Sequence, residues 1–287
     1  MNDLGSPEAD VPLYRPATLA QALALLRDNP DARPLGGGQT LVSMLTLGYA
    51  QASAIIALAD IAELRGVVRL GDGSVRIGAM TTHAEISKCR TFVDGQALLS
   101  HTAGQIADPA IRSFGTIGGA CAHGDTVADW PPCLVAADAR IVATGPGGTR
   151  EIQAADFFLN ILTTALEPGE LVVAIVVPPL AGGAFYRKLA RVEGDYATVS
   201  VAVVGAVEKG ICKSVSIAIG ACGPAPVRVA AAEALLVGRS VDQQLGEEAG
   251  AILARATDPI GDVRGSAAYR KRVLPRVVAQ TLLEVLR

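Results

Sequence analysis

The chain has 287 residues, half of them apolar and 18% charged, with a net charge of −3. That supply of Leu, Ile, Val and Ala builds a sizeable core and excludes wholesale disorder. Aromatic residues make up only 4%, and no basic stripe runs along the chain. Nucleic-acid binding by base stacking or by phosphate attraction is therefore not expected.

Met1 to Asp10 is polar and acidic, without the charged and greasy parts of a signal peptide, and reads as a flexible tail over residues 1–10. Pro16 and Thr18 introduce a helix over Leu19 to Asp28, with Thr18 as N-cap and Leu19, Leu23 and Leu26 on one face. Arg33 to Leu35 reads as a short strand running into Gly36-Gly37-Gly38, and Thr40 to Leu47 as a short helix. Ala54 to Leu58 is a buried strand by its compact apolar run. Val67 to Leu70 and Val75 to Ala79 flank Gly71-Asp72-Gly73 as a hairpin. Thr82 and Glu85 have capping-box spacing.

Gln96 to Ala107 reads as a helix and Thr116 to Gly119 as a second glycine loop. Ala139 to Thr144 and Thr149 to Ile152 form a hairpin across Gly145-Pro146-Gly147-Gly148. Leu171 to Val177 is a β-branched strand ending at Pro178-Pro179, where a domain boundary falls. Beyond it, Ala184 to Leu189, Thr198 to Glu208 and Ser214 to Gly220 read as an antiparallel sheet, covered by helices over Val227 to Val237 and Ala267 to Leu286. Arg270, Lys271 and Arg272 form the one dense cationic run, read as a solvated helix face. The fold class is α+β.

No apolar run approaches the ~20 residues of a membrane-spanning helix, so a cytoplasmic protein is expected. Cys89, Cys121, Cys133, Cys212 and Cys222 are scattered, odd in number and lack iron–sulfur spacing. They read as buried reduced thiols. An iron–sulfur cluster serving this chain would sit on another one.

The first glycine loop, Leu35-Gly36-Gly37-Gly38-Gln39-Thr40-Leu41, joins a strand to a helix. Residues without Cβ let a backbone approach a ligand closely, and consecutive N–H groups can converge on an anion such as a pyrophosphate. Gln39 and Thr40 add side-chain donors. The loop is neither G-x-G-x-x-G nor Walker A, and a bare strand-to-helix turn accounts for it equally well. The second stretch, Thr116-Ile117-Gly118-Gly119 onward to His123, Asp125, Asp129 and Pro131, is dense in small and polar residues. Asp125 and Asp129 are acceptors suited to polyol hydroxyls. His123 has no second metal ligand beside it and reads as a hydrogen-bonded loop histidine. Cys121 and Cys133 read as packing residues, since no charged activator adjoins them.

Together these segments resemble the FAD-binding subunit of the carbon monoxide dehydrogenase, xanthine dehydrogenase and related molybdenum hydroxylase family. That family carries a G-G-G/H-x-S/T-L loop and a later T-I-G-G loop followed by an Asp and a Pro. Phe185 to Arg191 with Asp195-Tyr196-Ala197-Thr198-Val199 resembles its K-x-x-R…D-x-A-x-V segment, and Ala268 to Leu286 its closing helix. The resemblance spans nearly the whole chain. It departs at Ala120, where some relatives have Asn or Asp, and at Gln39, where His is common.

The resemblance implies an FAD-binding domain of the PCMH/VAO type over residues 11–177, in two α+β lobes of about 11–60 and 61–177. A C-terminal domain of the CO dehydrogenase flavoprotein type follows over 178–287, a small antiparallel sheet covered by helices. It implies that Gly36, Gly37, Gly38, Gln39, Thr40 and Leu41, with Thr116, Ile117, Gly118 and Gly119, hold the FAD pyrophosphate. His123 and Asp125 belong to the same site. Asp129 would bind the flavin's sugar-like chain, Ile106 would pack near the flavin, Val172 would line the site, and Lys188 would approach the isoalloxazine, with Arg187 the alternative. No catalytic nucleophile, general base or metal site is expected on this chain. The implied function is electron relay: [2Fe–2S] clusters of a small partner subunit pass electrons to FAD, which hands them to an external acceptor. A large partner subunit carries the molybdenum cofactor, in a heterotrimer or a dimer of heterotrimers. The competing reading is a stand-alone FAD reductase of the cell-wall precursor type. It calls for an Asn-rich stretch where this chain has Ala122-His123-Gly124-Asp125.

Overall fold

A computed structural model describes residues 11–287, so the tail expected over residues 1–10 lies outside the described residues. The chain opens with β1 (Leu13–Tyr14), α1 (Leu19–Asp28), β2 (Arg33–Leu35), α2 (Leu41–Thr46) and β3 (Ile55–Ala57). β3 lies between β1 and β2 and is parallel to both. Thr18 caps α1 by accepting from the Gln21 N–H at 3.2 Å. Ala22 and Leu26, one turn apart, form the buried stripe of α1.

The middle of the chain supplies β4 (Val67–Arg69), β5 (Val75–Gly78), α3 (His83–Ser87), α4 (Ala97–Gln105), α5 (Pro109–Phe114), α6 (Ile117–His123) and α7 (Trp130–Ala136). β6 (Arg140–Gly145), β7 (Gly148–Gln153), α8 (Ala154–Phe157), β8 (Phe158–Asn160), β9 (Thr163–Thr164) and β10 (Leu171–Val177) follow. Five of these strands form an antiparallel sheet in the order β4-β5-β10-β6-β7. All seven residues of β10 are buried, as expected of a central strand covered on both faces. Val172, Ile175 and Val177 join one core with Ile117, Trp130 and Leu134 of α6 and α7. Leu171, Val173 and Val176 join another with Ala22, Leu26 and Ile56 of the N-terminal lobe. A register shift between Val172 and Ala174 adjusts the alternation.

The last part is a four-stranded antiparallel sheet, β11 (Gly183–Leu189), β12 (Val199–Glu208), β13 (Ile211–Gly220) and β14 (Val227–Arg228), with α9 (Ala230–Leu236), α10 (Gln243–Ala256) and α11 (Ala267–Val285). One face carries Val199, Val201, Val203, Ile217 and Ile219 against α10 and α11. The other carries Tyr186, Ala202, Val204 and Ala218 into the core shared with α4 and α7. The sheet is thus packed on both sides, and its first strand lies against the preceding part of the chain. The fold is α+β, two lobes over the N-terminal part followed by a helix-covered antiparallel sheet.

Three local expectations change. Ile117 to Gly119 are the first turn of α6, with Thr116 as N-cap, instead of an open loop. Val227 and Arg228 extend the sheet, and the helix begins only at Ala230. α5 and α10 carry no expectation above, the first short and the second interrupted by Gly246 and Gly250. Arg270 is not on a solvated face: it is 1% exposed. Its guanidinium donates to the Thr198 carbonyl at 2.5 Å and the Ala221 carbonyl at 2.8 Å, and pairs with Asp262 at 2.6 Å. Those acceptors offset the cost of burying the charge, while Lys271 and Arg272 stay exposed.

Candidate functional site

The first glycine segment leaves β2, and the second, between α5 and α6, meets it where it is tied to the β5–α3 connection. A β-carbon at Gly37 would run into the Phe114 carbonyl and stand 2.9 Å from Gly115 Cα. One at Gly36 would stand 3.0 Å from Thr116 Oγ1 and 3.9 Å from Gly119 Cα. Backbone therefore lies directly on backbone. Gly38 adopts φ +75°, the left-handed turn that starts the chain into α2. Among the described residues, none accepts a hydrogen bond from the backbone N–H groups of Gly37, Gly38, Gln39, Thr40 or Leu41. Gln39 Nε2 folds back on the Gly37 carbonyl at 3.1 Å. Thr40 stands at the start of α2 without capping it, and no residue of α2 is buried.

The facing segment is held differently. Ile117 N–H donates to the Thr81 carbonyl at 3.1 Å, and Gly118 N–H to the Ala79 carbonyl at 2.9 Å. Thr116 Oγ1 accepts from Gly119 N–H at 3.2 Å. Ile117 is fully buried. Ala79 N–H in turn donates to Val173 O at 3.1 Å, which ties this turn to the central strand. Beneath it lies His83, whose N–H donates to Gly115 O at 2.9 Å and whose Nδ1 accepts from Trp130 Nε1 at 3.3 Å. Burial, aided by Arg112, pulls the His83 imidazole down to about 4, so it is neutral near pH 7.

Further along, His123 closes α6 half-buried. After Gly124, Asp125 turns its Oδ1 onto the Val127 N–H at 3.0 Å. Asp129 precedes α7 but does not cap it. Its carboxylate points to β11, where it accepts from the Tyr186 hydroxyl at 2.5 Å and pairs with Lys188 Nζ at 3.1 Å. Lys188 Nζ also donates to the Gln105 carbonyl at 2.9 Å. Both charged side chains are under a tenth exposed. Burial pushes the Asp129 carboxyl above its ordinary value against the pull of Lys188 and Tyr186. Burial and the adjacent Asp129 push the Tyr186 phenol well up, so it stays a donor. Arg187, on the opposite face of the strand, pairs with Glu284 at 2.9 Å and does not join this group.

Ile106 follows Gln105 directly, half-buried, its carbonyl held by Arg112 Nη1 at 2.8 Å. Val172 is buried in the core beneath α6. The structure thus gathers Gly36 to Leu41 with Thr116 to Gly119, and Asp129 and Lys188 with the Gln105–Ile106 turn. Val172 stands behind them in the sheet. Cys121 and Cys133 are buried thiols whose pKa burial pushes up, as packing residues would have it. Among the described residues, no group of three or more His, Cys, Asp or Glu is placed to hold a metal ion, and no helix is long and apolar enough to cross a membrane. Sequence reasoning passed over three supporting residues: Tyr186, Arg112 and His83. The period of two in β11 is the signal that pairs Tyr186 with Lys188 on one face; nothing local marks the other two.

Comparison with known proteins bears on what this arrangement holds. Residues 8–180 match the family described as the FAD binding domain in molybdopterin dehydrogenase, and residues 184–285 the CO dehydrogenase flavoprotein C-terminal domain. The carbon monoxide dehydrogenase medium chain of Afipia carboxidovorans is 38% identical over 91% of both chains. The glyceraldehyde dehydrogenase medium chain of Sulfolobus acidocaldarius is 32% identical over 94% of this chain and 96% of that one. Among solved structures, the cyanide-inactivated Cu,Mo-CO dehydrogenase superposes with a TM-score of 0.91 at 36% identity, covering 95% of this chain and 96% of that one. Quinoline 2-oxidoreductase from Pseudomonas putida 86 gives 0.93 at 27%, covering 98% of each. The chain belongs to the family of FAD-binding subunits of molybdenum hydroxylases of the carbon monoxide and xanthine dehydrogenase type.

Proposed function

We propose that this chain is the FAD-binding electron-transfer subunit of a heteromeric molybdenum hydroxylase. It takes electrons from [2Fe–2S] clusters of a small partner subunit and passes them to an external acceptor, while a large partner subunit carries the molybdenum cofactor. The observation that carries the reading is the row of uncommitted N–H groups from Gly37 to Leu41, set against the Thr116–Gly119 turn with no room for side chains between them. Such a cradle suits a pyrophosphate. Gln39, Thr40, Thr116 and Gly119 border it. Ile117 and Gly118 fix its wall through their bonds to Thr81 and Ala79.

Asp129 and Lys188 offer an acceptor and a cation at the junction with the C-terminal sheet, toward the sugar-like chain and the ring system. Ile106, His123, Asp125 and Val172 complete the surroundings. FAD, when bound, supplies the redox chemistry; the chain's residues bind it, orient it and set its electrostatic surroundings. The assembly is a heterotrimer or a dimer of heterotrimers. The chain divides into residues 11–177 and 178–287. A cytoplasmic location accords with five unpaired cysteines.

The test is to purify the chain with whatever copurifies and identify the released cofactor and the partner chains. FAD together with a small iron–sulfur chain and a large molybdenum chain is the expected result. A monomer that reduces a substrate by itself would move the assignment to the stand-alone reductase. A protein that refuses added FAD would end it.

A further inference from the structure

β11 crosses from the C-terminal sheet to the edge of the FAD-binding part, and its alternation puts residues 186 and 188 on one face and 187 on the other. Both inward residues converge on a single carboxylate. Asp129 Oδ1 receives the Tyr186 hydroxyl at 2.5 Å and lies 3.1 Å from Lys188 Nζ, and Oδ2 lies 3.3 Å from the same ammonium. Tyr186 is wholly buried, an unusual site for a phenol unless its hydroxyl has a partner. The groups facing Asp129 can be named by element. β11 contributes Tyr186 and Lys188. α7 contributes the Cys133 thiol, which contacts Thr102 Oγ1 at 3.0 Å. The loop after β11 contributes Tyr196, whose phenol burial raises first, with Asp125 and then Asp129 adding to it. α4 contributes the Gln105 carbonyl on Lys188 and the His101 ring, 3.0 Å from the Tyr186 carbonyl.

A buried carboxylate in one ion pair is costly unless its remaining lone pairs are met by donors. At Asp129 the α7 backbone supplies none, and the Tyr186 hydroxyl fills that place. We infer that Tyr186 is a positioning residue of the flavin site: by donating to Asp129 Oδ1 it keeps the carboxylate charged and holds the Asp129–Lys188 pair in place beside the cofactor. This rests on the reading above that Asp129 and Lys188 face FAD. The FAD-binding part then becomes competent only when β11 is docked against it, because the donor that finishes its acidic residue comes from the C-terminal sheet.

The experiment measures FAD affinity of the full-length chain as the pH is lowered from neutral into the acid range, because burial raises the Asp129 carboxyl above its ordinary value. Tyr186→Phe weakens FAD binding roughly tenfold at neutral pH, as loss of a hydrogen bond to a charged group does. Its affinity also begins to fall at a higher pH than in the wild type. Asp129→Asn abolishes the pH step, and adding Tyr186→Phe to it changes little more. Tyr186→Gln, which still has a donor, recovers part of the affinity.

If Tyr186→Phe lowers only the melting temperature and keeps the wild-type affinity and pH profile, the residue is structural and the inference is wrong. Additive losses in the double variant overturn it as well. Should Tyr186→Phe not accumulate, Tyr186→Gln against Tyr186→Leu makes the same comparison, and equal affinities there also overturn it. A wild-type chain that binds no FAD fails on the earlier reading, which separates the two failures.

Discussion

From Gly37 to Leu41 no backbone N–H has an acceptor among the described residues, whereas in the facing turn Ile117, Gly118 and Gly119 donate to Thr81, Ala79 and the Thr116 hydroxyl. Both segments are rich in glycine and both lead into short helices, yet the first is open toward its surroundings and the second is locked to the sheet. The difference lies in the neighbours. Gly118 presses on Ala79, whose carbonyl oxygen a β-carbon would approach to 2.7 Å, and His83 supports Gly115 from below. α2, by contrast, buries no residue. A glycine-rich segment can therefore serve as a wall or as a cradle, and composition does not say which.

The sharpest way to break this contrast is Gly118→Ala. The added methyl meets backbone on β5's exit that cannot withdraw, so a loss of about 3 kcal/mol or more in urea unfolding is expected. Gly119→Ala, one residue on, meets only Thr116 Oγ1 at 3.0 Å and is expected to stay within about 1 kcal/mol of wild type. Equal losses at both positions would show that the turn is not clamped through Gly118.

Next in size is the acid response of the wall. His83 has its pKa lowered to about 4 in the fold, from 6.5 in the unfolded chain. Below about pH 6.5 the unfolded chain takes up a proton that the native protein refuses, so native stability falls as pH drops through that window and levels off below about 4. The separation corresponds to roughly 3 kcal/mol. His83→Gln, which can still accept from Trp130 but does not titrate, removes that part of the acid sensitivity. The carboxylates destabilise both proteins alike, so the difference between the two unfolding curves at pH 7 and at low pH isolates the imidazole. An unchanged difference would mean that His83 is free to charge.

Smallest is Gly38→Ala in the open segment. Nothing blocks its β-carbon closer than Val42 Cγ2 at 3.3 Å, but φ is +75°. The left-handed conformation costs about 1–2 kcal/mol for a residue with a β-carbon. The fold survives, and FAD affinity is expected to fall by more than stability does, because the strain sits in the cradle itself. A variant with wild-type affinity would remove Gly38 from the binding surface.

Much of this molecule was legible residue by residue. Thr18 and the Thr82/Glu85 box, the two hairpins across Gly73 and Gly148, and the apolar run of β10 depend on near neighbours, and they fold as their local chemistry requires. The short helices from Pro109 to Ala136 were opaque, because each has too few turns for a hydrophobic period to register. α10 hid behind two glycines that exist to let α11 approach, with β-carbons at Gly246 and Gly250 colliding with Ala279 and Pro275.

At the site, the residue types and the order of the glycine segments were decided by sequence alone, and with them the class of ligand. Which amides stay free, which carboxylate meets which cation, and whether an arginine in a basic run lies in water or in the core were decided only by tertiary structure. Asp129 and Tyr186 are 57 residues apart. Arg270 reaches back to the carbonyls of Thr198 and Ala221, 72 and 49 residues before it in the chain. Local backbone preference acts over a few residues. These contacts exist only once the sheets have closed, when burial has removed water and left each polar group to be satisfied by whichever partner the packing brings.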